Sequence, residues 1–174
     1  SSTLKEDLSR REFTVNALAL GRDGVVYDYF DGTKDLRNKK LRTVGKAEER
    51  FREDALRLFR ACRFIGQLDF MADKSLVRGM ASAFDRVSGL SLERVREEVE
   101  KLLVSPFAAR GLDLLVRTGL NECSCRIREN GRTEAVKILP ELSHLVDLPQ
   151  QKKFHKFDGW YHTLAVVNAA PPTL

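Results

Sequence analysis

Residues 50–64 read Arg50-Phe-Arg-Glu-Asp54-Ala-Leu-Arg57-Leu-Phe-Arg60-Ala-Cys-Arg63-Phe64, and the reading of the fold turns on them. Phe51, Ala55, Leu58, Phe59, Cys62 and Ile65 recur at the spacing of one helix face, which predicts a helix over 48–67. Asp54 and Arg57 stand three apart, on neighbouring lines of that helix, and Arg60 and Arg63 continue the step of three. Each such step slips about 60° around the axis, which puts Arg63 roughly opposite Asp54. Splayed into a cleft, an acid and a guanidinium present an acceptor beside a fork of donors. That combination suits the hydrogen-bonding edge of a nucleobase. The same pair is equally an ordinary intrahelical ion pair, worth about 0.2–0.5 kcal/mol.

Outward from this helix the pattern changes. Upstream, the run 13–20 is rich in β-compatible residues, followed by the turn Gly21-Arg-Asp-Gly24 and by Val25-Val-Tyr-Asp28. Two such runs joined by a Gly/Asp turn predict a β-hairpin, and 41–44 adds a short strand. Strands this few make a poor sheet alone, so they are expected to complete one whose other strands precede Ser1. In Asp28-Tyr-Phe-Asp-Gly32-Thr-Lys-Asp35-Leu36, Gly32 supplies a turn and Asp35 is placed to cap a helix starting at Leu36. Downstream, 75–84 reads as a short helix, and Ser91 as the N-cap of one carrying Val95, Val99 and Leu102. Ser105-Pro106 is read as opening a further helix that ends at Gly119. Residues 135–146 are read as another helix, 149–157 as a polar loop, and 159–170 as a helix stopped by Pro171-Pro172. The fold class is α+β: the end of a mixed sheet followed by a mostly helical region.

Composition narrows the function classes. The 174 residues are 43% hydrophobic and 32% charged, with a net charge of +5, which excludes a disordered chain and supports a real core. No apolar run approaches the ~20 residues of a membrane span, so no membrane partner is expected. The three cysteines fit neither a disulfide framework nor a four-ligand zinc site, and a reducing, cytoplasmic setting is the expectation. The beginning lacks Met and an apolar signal region, and reads as the interior of a longer chain. Six basic residues crowd 34–46 against the single acid Asp35, as a solvated edge or a contact for polyanions. Arg10-Arg11-Glu12-Phe13-Thr14-Val15-Asn16-Ala17 sets two guanidiniums and an acid just before a strand. This is either a surface cluster or a grip for phosphate and ribose, with Arg10, Glu12 and Asn16 as further contacts.

Taken in order, Arg10-Arg11-Glu12-Phe13-Thr14-Val15-Asn16-Ala17, Asp28-x-x-x-Gly32-x-x-Asp35-Leu36, Glu53-Asp54-x-x-Arg57-x-x-Arg60 and Ser91-x-Glu93-Arg94 closely resemble motifs B to E of the class II tRNA nucleotidyltransferase/poly(A) polymerase family. The resemblance runs over nearly the whole chain. It implies a template-independent polymerase adding CMP and AMP to tRNA 3′ ends, with CTP, ATP and the tRNA 3′ end as partners and Mg²⁺ as cofactor of the intact enzyme. It implies that Arg11 engages the nucleotide's phosphates and ribose, with Glu12 standing where the motif has Asp. It casts Asp54 and Arg57 as the protein template for the base, and Arg60 and Arg63 as further nucleotide contacts. The loop from Asp28 is implied to link head and neck, and 91–103 to be a helix supporting the neck. The implied division is the head's end (1–45), a neck (46–104), a body (105–148) and the start of an HD-like region (149–174).

Two parts of the family's equipment are missing from the sequence. The catalytic metal carboxylates of the family form an Asp-x-Asp pair, and none occurs here; Glu98 and Glu100, two apart on a helix, diverge. Two-metal phosphoryl transfer needs converging carboxylates, so the chain alone is expected to be inactive. His162 matches the first His of the HD metal site, whose His-Asp partner would follow Leu174. For His144 and His155 the reading is surface residues. Two alternatives stay open: a poly(A) polymerase of the same family, and a non-catalytic RNA-binding or helical interaction module.

Overall fold

The computed structural model describes residues 3–146 and 159–171. It opens with helix α1 (Leu4–Ser9), capped by Thr3 and Glu6 in a reciprocal box. The predicted hairpin is there, as β1 (Leu18–Leu20) antiparallel to β2 (Val26–Asp28), with Ala19 opposite Tyr27. The strand expected over 13–20 is shorter than its composition suggested. Thr14–Asn16 is a 3-10 turn, because the Phe13 N–H donates to Asn16 Oδ1 at 3.1 Å and the Thr14 hydroxyl donates to Asp35 Oδ2 at 2.5 Å. Ahead of β1, Phe13 alone keeps a sheet contact, as an isolated bridge to Thr43.

Helix α2 (Gly32–Arg37) begins four residues earlier than expected, and Asp35 does not cap it. Asp35 is buried inside the helix, holding Thr14 and the Nε of Arg42 at 3.0 Å. The cap is Asp28, whose carboxylate accepts from the N–H groups of Phe30, Gly32 and Thr33. Burial pushes Asp28 up, but Thr33 (backbone and hydroxyl), Gly32 and Phe30 together hold it below the ordinary value. Asp31 takes a left-handed backbone (φ 61°), and a Cβ on Gly32 would stand 2.2 Å from the Thr14 carbonyl oxygen. Only glycine fits there.

Strand β3 (Lys40–Leu41) pairs in parallel with β4 (Met71–Ala72). Between them lie two helices where one was predicted: α3 (Ala47–Glu53) and α4 (Leu56–Leu68). Helix α5 (Lys74–Met80) follows, capped by Asp73, and a 3-10 stretch over Ala81–Gly89 replaces its expected end. Helix α6 (Leu92–Leu103) is N-capped by Ser91 as read from sequence. Helix α7 (Ala108–Arg117) starts after Phe107; the Ser105 hydroxyl instead donates back to the Leu102 carbonyl and closes α6.

The helix expected over 135–146 is not formed. Strands β5 (Ser124–Glu129) and β6 (Arg132–Lys137) make a hairpin, followed by a 3-10 turn over Pro140–Leu145. Its turn is Asn130-Gly131, both at positive φ (49° and 78°), the two-residue geometry that matches strand twist. Helix α8 (Gly159–Ala169) ends the described chain, and the loop expected over 149–157 lies outside the described residues.

The core joins the two halves of the fold. Phe51, Leu58, Phe59, Leu102, Leu115 and Trp160 are each at most 1% exposed, and each fully buried large side chain contributes roughly 1.5–3 kcal/mol. α4 packs on α6 and α7. The α7 contact is close because a Cβ on Gly111 would lie 2.3 Å from the Cys62 carbonyl oxygen. Trp160 Nε1 donates to Asp113 Oδ1 at 2.9 Å and pins α8 to α7.

Candidate functional site

The break between α3 and α4 is the structural fact that reshapes the site. Asp54 leaves α3 in an extended conformation (φ −148°, ψ 106°), so it does not share a helix with Arg57. Its Oδ1 accepts the Leu56 N–H at 3.0 Å, satisfying one of the open donors at the start of α4. The ladder of four expected on one helix is therefore three arginines on α4, with an acid at the corner that leads into it.

The corner keeps both kinds of hydrogen-bonding capacity open. Asp54 Oδ2 has Arg94 of α6 at 3.7 Å, an ion-pair distance beyond a good hydrogen bond. Arg57 uses only Nη1, which donates to Glu53 Oε2 at 2.7 Å and to the Arg50 carbonyl at 3.0 Å. Its Nε and Nη2 have no partner among the described residues. Glu53 also receives Arg50 Nη1 at 2.8 Å, so a single carboxylate steadies two guanidiniums.

Arg60 and Arg63 are held differently. Glu12, only 8% exposed, takes Arg60 through a two-bond fork, with Nε at 2.7 Å, and also receives Asn16 Nδ2 at 3.1 Å. Glu98 of α6 accepts Arg63 Nε at 2.6 Å and stands 3.7 Å from Arg60 Nη1. Arg63 Nη1 donates to Gln67, and its guanidinium lies 4.6 Å from the centre of the Phe64 ring. The bond to Glu12 raises Arg60 above its ordinary value against the opposing pull of burial, and Glu98 and Asp54 add to it. Arg60 is a fixed cation in any solution that keeps the protein folded.

The remaining sequence candidates are spread out. Arg11 is exposed, with Asp7 at 3.7 Å, and Arg10 is exposed beside it. His162 lies on α8, and among the described residues no group of three or more His, Cys, Asp or Glu is placed to hold a metal ion. In the basic run 34–46, Lys39 pairs with Asp69, Lys40 with Asp73, Arg42 with Asp35 and Lys46 with Glu49. Its cations are thus largely neutralised in place. Glu98 is the residue that sequence reasoning missed. Its signal was present: it sits three after Val95 and four before Leu102, on the buried stripe of α6, where an acid needs a buried cation as partner.

Comparison with known proteins gives this geometry a family. A model described as the poly(A) polymerase head domain matches residues 1–42, and one described as the probable RNA- and SrmB-binding site of polymerase A matches 69–123. The Asp54 corner lies in the segment between them. The two matches set the class as that of the poly(A) polymerase head domain followed by its adjoining polymerase A segment. The CCA-adding enzyme of Lactobacillus johnsonii is 41% identical over 94% of this chain and 44% of its own length. That of Lactobacillus gasseri is 46% identical over 68% of this chain and 30% of its own. Among solved structures, the Bacillus stearothermophilus CCA-adding enzyme in complex with CTP superposes with a TM-score of 0.67 at 46% identity, over 70% of this chain and 31% of that one. The Thermotoga maritima CCA-adding enzyme complexed with tRNA gives 0.63 at 28% identity, over 69% and 30%. This chain belongs to the tRNA nucleotidyltransferase/poly(A) polymerase family, and spans less than half the length of these relatives.

Proposed function

We propose that the chain is the nucleotide-selecting and RNA-binding portion of a template-independent tRNA nucleotidyltransferase that adds CMP and AMP to tRNA 3′ ends. The observation that carries this is the α3–α4 corner, where Asp54 offers an open acceptor and Arg57 two unoccupied donor groups. Cytosine and adenine both present an amino donor, which Asp54 accepts while Arg57 donates to the neighbouring ring nitrogen. Uracil and guanine set a carbonyl oxygen in that place and meet the Asp54 carboxylate with repulsion. Arg11 supports the phosphates, with Arg10 beside it. The buried Glu12–Arg60 and Glu98–Arg63 pairs keep α4 fixed against the head segment and α6, so the corner keeps its shape when empty. Arg60 and Arg63 meet a nucleotide only with the edges their carboxylates leave open.

The reaction is attack of the tRNA 3′-hydroxyl on the α-phosphorus of CTP or ATP, with pyrophosphate leaving. Mg²⁺ chemistry belongs to this reading, but the described residues do not fit a metal site. We assign this chain base selection and RNA contact. The head end, neck, body and HD-like start keep the boundaries 1–45, 46–104, 105–148 and 149–174. The matched segments 1–42 and 69–123 support the first two, and the resemblance of 149–174, including His162, supports the last. A cytoplasmic setting is supported by the free thiols of Cys62, Cys123 and Cys125. The test is incorporation of radiolabelled CTP and ATP, with UTP and GTP as controls, by the intact protein. Asp54→Ala with Arg57→Ala is expected to abolish the preference for C and A. Unchanged selectivity in that variant would sink the template role.

A further inference from the structure

The β5–β6 hairpin begins at Ser124, one residue after the RNA-binding family match ends at 123. Its register sorts its charges by face. One face carries Ser124, Arg126 and Arg128 on β5 with Lys137, Ala135 and Thr133 opposite them on β6. That face has three cations; Lys137 is paired with Glu122 at 3.3 Å, which leaves the two arginines. Glu129 and Glu134 both fall on the other face, with Arg132, Ile127 and the buried Cys125. Arg126 and Arg128 are exposed, and their guanidiniums have no partner among the described residues. This contrasts with the run 34–46, where four of the six cations are paired.

The hairpin is also fixed in position. The Arg126 N–H donates to the Leu90 carbonyl at 2.8 Å, and Arg126 bridges Ser91, the N-cap of α6. Ser91, Glu93, Arg126, Arg128 and Thr133 line a polar cleft of about 260 Å³ between hairpin and helix. Glu93 is the one carboxylate in that lining, against two guanidiniums.

We propose that this face, led by Arg126 and Arg128, is a docking surface for the sugar–phosphate backbone of RNA. The inference rests on the RNA-directed function proposed above and assigns it a surface. Residues two apart on a strand lie about 6.7 Å from one another, so the two planar forks meet successive backbone phosphates as bidentate donors. A protein partner fits less well, because stable protein interfaces have an apolar or aromatic centre and this face offers only Ala135.

The test uses the intact protein and a tRNA transcript, with affinity followed from about 50 to 200 mM salt. Arg126→Ala with Arg128→Ala is expected to lower affinity about tenfold at the low-salt end. It should also make the salt dependence shallower by about 0.7–0.9 per lost contact. CTP binding, by calorimetry, is expected to stay unchanged. Arg132→Ala, on the opposite face, is expected to leave both affinity and slope as in the wild type. If the wild type binds tRNA and the double variant matches it in affinity and slope, the hairpin assignment falls while the general function stands, and an acidic protein becomes the better partner for this face. If Arg132→Ala weakens binding as much, the assignment to one face falls. A wild type that binds no tRNA at any salt overturns both readings.

Discussion

Helix α4 and the β5–β6 hairpin are both rich in arginine, yet the protein treats their charge in opposite ways. On α4, Arg60 and Arg63 are locked to the buried carboxylates of Glu12 and Glu98. On the hairpin, the guanidiniums of Arg126 and Arg128 have no partner among the described residues. The first arrangement makes cations into structural ties between segments far apart in sequence. The second leaves them in solvent, ready for an anion from outside. Counting arginines does not separate these roles; locating the nearest carboxylate does.

Four measurements would sharpen or break this contrast. The largest effect is expected from Glu98→Ala, which strands Arg63 without its carboxylate, while Arg60 keeps its fork to Glu12. Breaking such a pair costs about 3 kcal/mol, read as a lower midpoint in urea, whereas a loss below about 0.5 kcal/mol would make α4's arginines no more structural than the hairpin's. Next is Gly111→Ala, which drives a methyl into the Cys62 carbonyl where α7 meets α4. It is expected to cost about 2 kcal/mol through overpacking, and a neutral result would show that the packing behind the arginine ties is loose.

Asp28→Ala comes third, at about 1 kcal/mol, as the loss of a helix cap. Here the sign with pH is defined. The folded value lies below the ordinary 3.8, so the stabilisation is fully present above that value and is lost as pH falls through the folded value. Wild type and variant should therefore converge in stability on acidification below about pH 3.8. A gap that stays constant through that acidic range to below the folded value would remove the charge-based account. The smallest effect is expected from Arg126→Ala with Arg128→Ala on stability, within about 0.5 kcal/mol as for other exposed positions. A larger loss in thermal unfolding would mean that these arginines are structural after all.

The first hairpin and the Ser91 cap were legible in the sequence because each depends on local chemistry: Gly/Asp turn residues, and a hydroxyl before an apolar stripe. The break at Asp54 was not. Phe51, Ala55 and Leu58 keep helical spacing across it, and periodicity reports which face a side chain occupies, not whether the backbone bonds run on beneath it. The second hairpin was lost to a misjudged period over 135–146, although Asn130-Gly131 is a strong turn signal. The acceptor–donor pairing of Asp54 with Arg57 was visible as residue types. The burial of Glu12, Asp35 and Glu98 was not, because a buried carboxylate is defined by a cation that sits 7 to 48 residues away.

The two-residue parallel pairing of β3 with β4 bears on the order in which the protein folds. It closes a loop of about 30 residues, for which chain entropy charges roughly 3 kcal/mol beyond a fixed term. Two ladder positions offer too little to meet that alone. The helices within the loop are therefore expected to associate first, with the strands joining once their ends are already near. Substitutions at Leu41 or Ala72 should then mainly speed unfolding, and those at Phe51 or Phe59 mainly slow refolding. The reverse pattern in stopped-flow kinetics would place the strand pair at the start of folding instead.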